Sequence, residues 1–320
     1  MNILFVTSNR VGDAILSTGL LSHLIAAYPE ARITLACGPV AAPLFAATPN
    51  LERVIALRKR RWGLHWLELW RNVAATSWDL VVDLRASAVA WAVLAGERRV
   101  LKPSRSELHR VRLLADLMGL DEPPAPKVWA ADHHRARARE LVPGGAAVLG
   151  VGPTANWGGK QWPAARFAEV IARLTAAGAS LEGAAVAVFA ATGERAAAQP
   201  VIDSLPEARR IDLAGGVDLL TAFACLERCA LYLGNDSGLM HLAAAAGTPT
   251  LGLFGPSKES LYAPWGAHTA VARTALSYDD IVGAPGYDYR RHESHMDSLS
   301  VDRVEAAALA LWRRARGEAA

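Results

Sequence analysis

Short, uniformly apolar runs alternate with longer amphipathic runs along nearly the whole chain, and this alternation constrains the fold more than any other feature. Residues 3–7 (Ile3, Leu4, Phe5, Val6, Thr7) are rich in β-formers. From 13 to 28, apolar positions Ile15, Leu16, Leu20, Leu24 and Ile25 recur at helical spacing until Pro29 ends the run. The same logic predicts strands at 33–36, 54–57 and 80–82 and helices at 39–47, 64–76, 86–94 and 107–118. A Pro-rich stretch, Asp121 to Pro126, and a helical run at 133–140 then lead to Pro143-Gly144-Gly145. Beyond it the pattern restarts, with strands predicted at 147–151, 185–190, 210–213, 230–233 and 250–254. The helices there are predicted at 163–176, 194–205, 217–228, 239–246 and 301–315. Strands apolar at every position, separated by helices, belong in parallel sheets covered on both faces. The expected class is α/β, with two Rossmann-like, doubly wound parallel-sheet domains facing a cleft. The expected domains are residues 1–144 and 145–320, with the last helix a candidate to pack back on the first.

Composition narrows the class. The chain has 320 residues, 52% hydrophobic and 20% charged, which suits a globular protein and excludes a disordered one. Cys37, Cys225 and Cys229 are too few and too scattered for a disulfide framework, and buried thiols are the favoured account of them. The opening residues lack the basic start and the apolar length of a signal peptide. No run of about 20 uncharged apolar residues exists to span a bilayer. A cytoplasmic location is therefore expected. Charge is uneven: residues 1–144 hold 19 basic and 13 acidic side chains, against 15 and 18 in the remainder. An anionic partner is expected on the first domain.

Three strand-to-helix junctions carry the chemistry. Gly234-Asn235-Asp236-Ser237-Gly238-Leu239-Met240-His241 follows one apolar strand and opens an Ala-rich helix. Asp236 or Ser237 is placed to cap that helix, and the helix start is a natural phosphate site. Ser8-Asn9-Arg10-Val11-Gly12-Asp13 follows the first strand. It lacks the GxGxxG spacing of dinucleotide binders. Asp13 there is either a dipole-stabilising carboxylate or a general base. Gly152 to Pro163 follows the restarting strand and contains Thr154, Asn156 and Lys160. Lys160 is not a Walker lysine, since Thr154 stands where the motif needs glycine, but it sits at the same sheet edge as Asp236. Trp157 and Trp162 either stack on a ligand or pack.

Together these segments resemble glycosyltransferase family 9, the lipopolysaccharide heptosyltransferases. The resemblance lies in Arg10-Val11-Gly12-Asp13, Lys160-Gln161-Trp162-Pro163 and Gly234 to His241. It continues in Ala243 to Thr250, Leu253-Phe254-Gly255-Pro256 and Tyr262-Ala263-Pro264-Trp265-Gly266. It implies a GT-B fold and an inverting, metal-independent transfer from a nucleotide sugar, by resemblance ADP-heptose, to a lipid-linked anionic saccharide such as a lipopolysaccharide core. No cofactor, metal or nucleic acid is expected. By the resemblance, Asp13 and Lys160 are the catalytic residues, as base and as partner of the donor phosphates. Arg10, Gly12, Thr154, Asn156, Glu194, Asp236, Ser237, Gly238, Met240 and His241 are the implied substrate contacts. Where the family often shows two threonines before the lysine, Ala155 and Asn156 stand here. A nucleotide-sugar epimerase or a non-catalytic nucleotide-sugar-binding protein on the same fold are the alternatives.

In the first domain, Arg58 to Arg61 precede Trp62, Trp66 and Trp70, whose four-residue spacing predicts one shared helix face. The stripe either faces the core or touches the inner-membrane surface or an anionic acceptor. Arg98, Arg99, Lys102, Arg105, Arg110 and Arg112 form a second basic cluster, a candidate to bind phosphorylated or acidic sugars.

Overall fold

The computed structural model describes residues 1–103 and 106–318, so Arg105 lies outside the described residues. The chain divides into two compact units, Met1–Trp129 and Ala130 onward. The first contains, in order, β1 (Asn2–Val6), α1 (Val11–Ala27), β2 (Arg32–Cys37), β3 (Leu51–Ala56), α2 (Leu64–Val73) and β4 (Trp78–Asp83). It closes with α3 (Val89–Ala92), β5 (Ala95–Val100) and α4 (Arg110–Met118). These strands form one parallel sheet of order β3-β2-β1-β4-β5.

The second unit begins with α5 (Asp132–Leu141), which packs on a later helix of its own unit, Leu219–Leu226. Then come β6 (Val148–Gly152), α6 (Ala164–Thr175), β7 (Ala185–Val188), α7 (Arg195–Asp203), β8 (Arg210–Asp212), α8 (Leu219–Leu226) and β9 (Leu231–Asn235). α9 (Gly238–Ala245), β10 (Thr250–Phe254), α10 (Glu259–Tyr262), β11 (Thr269–Arg273), α11 (Tyr278–Val282) and α12 (Val301–Ala315) follow. The sheet order is β11-β10-β9-β6-β7-β8, again parallel throughout. α12 packs on α6, β10 and β11 of its own unit.

The central strands β6, β9 and β10 are buried at every position, as strands covered by helices on both faces must be. One core gathers Leu149, Val151, Leu231, Leu233, Leu251 and Leu253 against Phe167, Ile171, Val304 and Leu311. In the first unit Leu4, Val6 and Val81 pack against Leu69, Val73 and Trp78. Cys37, Cys225 and Cys229 are buried free thiols, and burial pushes all three up.

Three local expectations fail for identifiable reasons. The helix predicted at 39–47 shrinks to a 3-10 turn, Ala42–Phe45, with Pro43 in its first turn. The helix predicted at 86–94 shrinks to α3, because Ala86 takes a left-handed φ of 50°. Trp62, Trp66 and Trp70 do not share a helix face, since Trp62 lies outside α2 in a turn with φ 59°.

Each sheet has a topological switch point, where successive connections depart in opposite directions. In the first it lies between β1 and β4, in the second between β6 and β9. Ligands of open α/β sheets bind beyond the carboxyl ends of the strands at such points.

Candidate active site

The second unit's switch point is tied together by Asn235, the last residue of β9 and fully buried. Its Nδ2 donates to the Pro153 carbonyl at 2.8 Å, and its Oδ1 accepts from the Trp162 N–H at 3.1 Å. One side chain therefore fixes both ends of the loop after β6 against the loop after β9. Across this junction Lys160 Nζ pairs with Asp236 Oδ2 at 2.5 Å, with the side chains 25% and 7% exposed respectively. The lysine keeps one open side while the carboxylate is enclosed.

Ser237 occupies the cap position of α9, but its side chain makes no capping bond and Asp236 is spent on Lys160. The start of α9 thus lacks a side-chain cap, and the positive end of the helix suits an anion. The third contributor is Glu194, in a short turn after β7, whose Oε2 accepts from the buried Thr154 hydroxyl at 2.7 Å. Thr154 is therefore a residue that orients Glu194, enclosed too deeply to touch a ligand directly.

Beneath the site lies Tyr232, completely buried, with its phenol pushed well above the usual range by that burial. Gly152 and Gly234 face each other in register, and a Cβ built on either would strike the Tyr232 oxygen. Two glycines at one register position make the space this phenol fills. Gly152→Ala is expected to overpack it and lower stability by about 1–3 kcal/mol. A urea titration would show a lower midpoint at unchanged slope, and an unshifted midpoint would contradict the packing argument.

The other candidates are placed as follows. Asn156 is exposed on the loop after β6, and Gly238 opens α9. His241 is buried one turn into α9. Met240 is wholly buried with its sulfur against Gly252, which makes it a packing group. Gly158 and Gly159 allow close approach of other parts of the chain. A Cβ on Gly158 would meet the His292 carbonyl, and one on Gly159 the Trp157 ring. They admit a strap formed by residues 291–299. The Trp157 indole donates to the Arg291 carbonyl at 2.8 Å, the His295 N–H to the Gly159 carbonyl at 3.0 Å and the Trp162 indole to the Leu299 carbonyl at 2.9 Å. Both indole N–H groups are therefore committed to the strap.

At the first unit's switch point, Asp13 sits in the first turn of α1, half-buried, with Ser8 Oγ 3.5 Å from its Oδ2. Arg10 is exposed at the cap position of α1, and Gly12 is half-buried within its first turn. Sequence reasoning missed the loop after β4. There Asp83 is fully buried and accepts from the Arg85 N–H, the Ser87 N–H and the Ser87 hydroxyl at 2.8, 2.7 and 2.6 Å. Burial nonetheless pushes its carboxyl above the ordinary range. This turn projects Arg85 back to Asn9, whose Oδ1 accepts from Nη1 at 3.0 Å. The signal available was Asp-Leu-Arg-Ala-Ser, an acid followed by donors at a strand end. Of the second basic cluster, Arg98 is committed to structure, since it donates to the carbonyls of Ala90, Ala95 and Val93. Arg99 pairs with Glu97.

Among the described residues no three His, Cys, Asp or Glu side chains converge as a metal site, and no helix is long and apolar enough to cross a membrane. The chain is 24% identical to lipooligosaccharide heptosyltransferase 2 of Haemophilus influenzae over 311 residues, covering 85% of this chain and 88% of the relative. A family 9 glycosyltransferase from Veillonella parvula superposes with a TM-score of 0.80 at 23% identity, over 98% of this chain and 97% of that one. The ADP-heptose lps heptosyltransferase II of E. coli does so at 0.74 and 22%, over 99% and 100%. The fold is therefore GT-B. The family model of glycosyltransferase family 9 (heptosyltransferase) matches residues 84–280, more than half of the chain, and the protein belongs to that family of glycosyltransferases.

Proposed function

We propose that this enzyme transfers heptose from ADP-heptose to a lipopolysaccharide core or a related lipid-linked anionic saccharide, by a single inverting displacement that needs no metal. The observation that carries the donor half is the convergence of Lys160 with the side-chain-uncapped start of α9 at one switch point. A diphosphate leaving group needs a cation and aimed N–H donors as its charge develops, and both are present. Glu194, held by Thr154, is a hydrogen-bond acceptor for the donor's ribose hydroxyls. The choice of ADP-heptose draws on the similar E. coli enzyme, and that of the acceptor on the heptosyltransferase relatives.

In the proposed step the acceptor hydroxyl oxygen attacks the anomeric carbon and its proton passes to the Asp13 carboxylate. The bond from that carbon to the diphosphate oxygen breaks on the opposite face, and the electron pair leaves with the diphosphate. Lys160 and the α9 N–H groups hold that charge. Asp13 is the better base of the two carboxylates at its switch point, because Asp83 is enclosed and already accepts three hydrogen bonds.

The purified chain would be assayed for nucleotide release from ADP-heptose and from UDP- and GDP-sugars, with and without truncated lipopolysaccharide. Acceptor-dependent ADP release from ADP-heptose, with an inverted linkage in the product, is expected. Isomerised donor formed without acceptor would instead identify an epimerase. Donor binding with no turnover on any acceptor would identify a binding protein.

A further inference from the structure

Arg58, Lys59, Arg60 and Arg61 are all exposed and lead directly into Trp62, which is 90% exposed. Its φ of 59° is unfavourable for a bulky side chain, so the turn holds an indole in solvent against its own backbone preference. In α2, Leu69 and Val73 face the core and Trp66 packs against it. On the outward arc Leu64, Leu67 and Trp70 are exposed. Helical geometry puts Trp70 at one flank of that arc, and its indole donates to the Ala92 carbonyl at 2.9 Å, so α3 lies beside it. α3 and the residues just after it add Trp91, 67% exposed, and Leu94, 71% exposed. Arg98 steadies this corner. Its guanidinium bonds the carbonyls of Ala90, Val93 and Ala95, with the Trp91 ring 5.9 Å away.

We infer that this face of the first unit docks on an anionic lipid bilayer. Indoles and leucines standing in water beside a row of cations match the two layers of such a surface, acyl boundary and phosphate headgroups. Arg60 is offset by Glu68 at 3.3 Å, while Arg58, Lys59, Arg61 and Arg71 bring positive charge to the rim. The inference stands on this surface alone and does not depend on which sugar the enzyme moves.

The test is sedimentation of the purified full chain with phosphatidylcholine vesicles, with and without phosphatidylglycerol. Binding is expected only with phosphatidylglycerol and is expected to weaken as salt rises. The Trp62→Ser/Trp91→Ser and the Arg58→Gln/Lys59→Gln/Arg61→Gln variants are each expected to bind at least about tenfold more weakly. All five side chains are exposed, so circular dichroism and melting should stay as in the parent, which separates lost docking from lost folding. Three results would each overturn the inference: no binding of the parent chain to anionic vesicles, equal binding by both variants, or a concentration-dependent dimer abolished by the tryptophan changes in a chain that ignores vesicles. The last would assign the face to a second copy. No turnover is measured, so failure here leaves the transfer reaction untouched.

Discussion

Asp13→Asn is expected to lower kcat of sugar transfer by about 10²–10⁴-fold while leaving donor affinity within about threefold, since a positioned base contributes that much. The amide keeps the size and the N-terminal position in α1 but cannot take the acceptor's proton. The loss would not reflect unfolding. A carboxylate in a helix's first turn contributes only about 0.3–1 kcal/mol through the dipole, so the melting temperature should shift by a few degrees at most. Asp83→Asn is the informative companion. Asp83 receives the Arg85 and Ser87 N–H groups and the Ser87 hydroxyl in the core. An amide there must give up at least one of these bonds, at about 1–3 kcal/mol for a buried donor left without its acceptor. The two variants should therefore separate, with Asp13→Asn stable and slow and Asp83→Asn destabilised. A kcat for Asp13→Asn close to the parent value would remove the base from the proposed mechanism.

How much of this was legible in the sequence follows the range of the interactions involved. β1, β6, β9 and β10 announce themselves because strands covered on both faces read as near-continuous apolar runs. β5 (Ala-Gly-Glu-Arg-Arg-Val) did not, since it lies at the sheet edge, where charged residues are tolerated and guard against unwanted pairing. The site was legible as loops: Lys160 and Asp236 were recognisable from strand-to-helix junctions and from family resemblance. Their pairing was not, because 76 residues separate them and no local pattern encodes register between two loops. The strap on Gly158 was still further from view. No local pattern announces it, and only the contact with His292 shows that Gly158 makes room for the chain itself. Met240 shows the reverse case, a residue singled out by its place in a motif whose side chain the helix turns into the core. Trp62 misled because four-residue spacing implies a shared face only if the helix has already begun.

Lys160→Met is expected to reduce kcat/KM for the donor by about 10²–10³-fold, the usual consequence of losing one charge-stabilising group in a transition state. It should also destabilise the chain by about 2 kcal/mol, because Asp236, 7% exposed, would be left without its cation. The two losses have different origins, and a second substitution separates them. Lys160→Met/Asp236→Asn replaces the stranded carboxylate with a neutral amide, so thermal stability should largely return. Activity should not, because the cation that meets the leaving diphosphate is still missing. Calorimetry and donor kinetics on the parent, both single variants and the double variant form a complete cycle for the pair. If the double variant recovered turnover along with stability, the lysine would serve only to neutralise Asp236. The leaving-group charge would then fall to the α9 N–H groups alone, a fixed array that no side-chain substitution at position 160 removes.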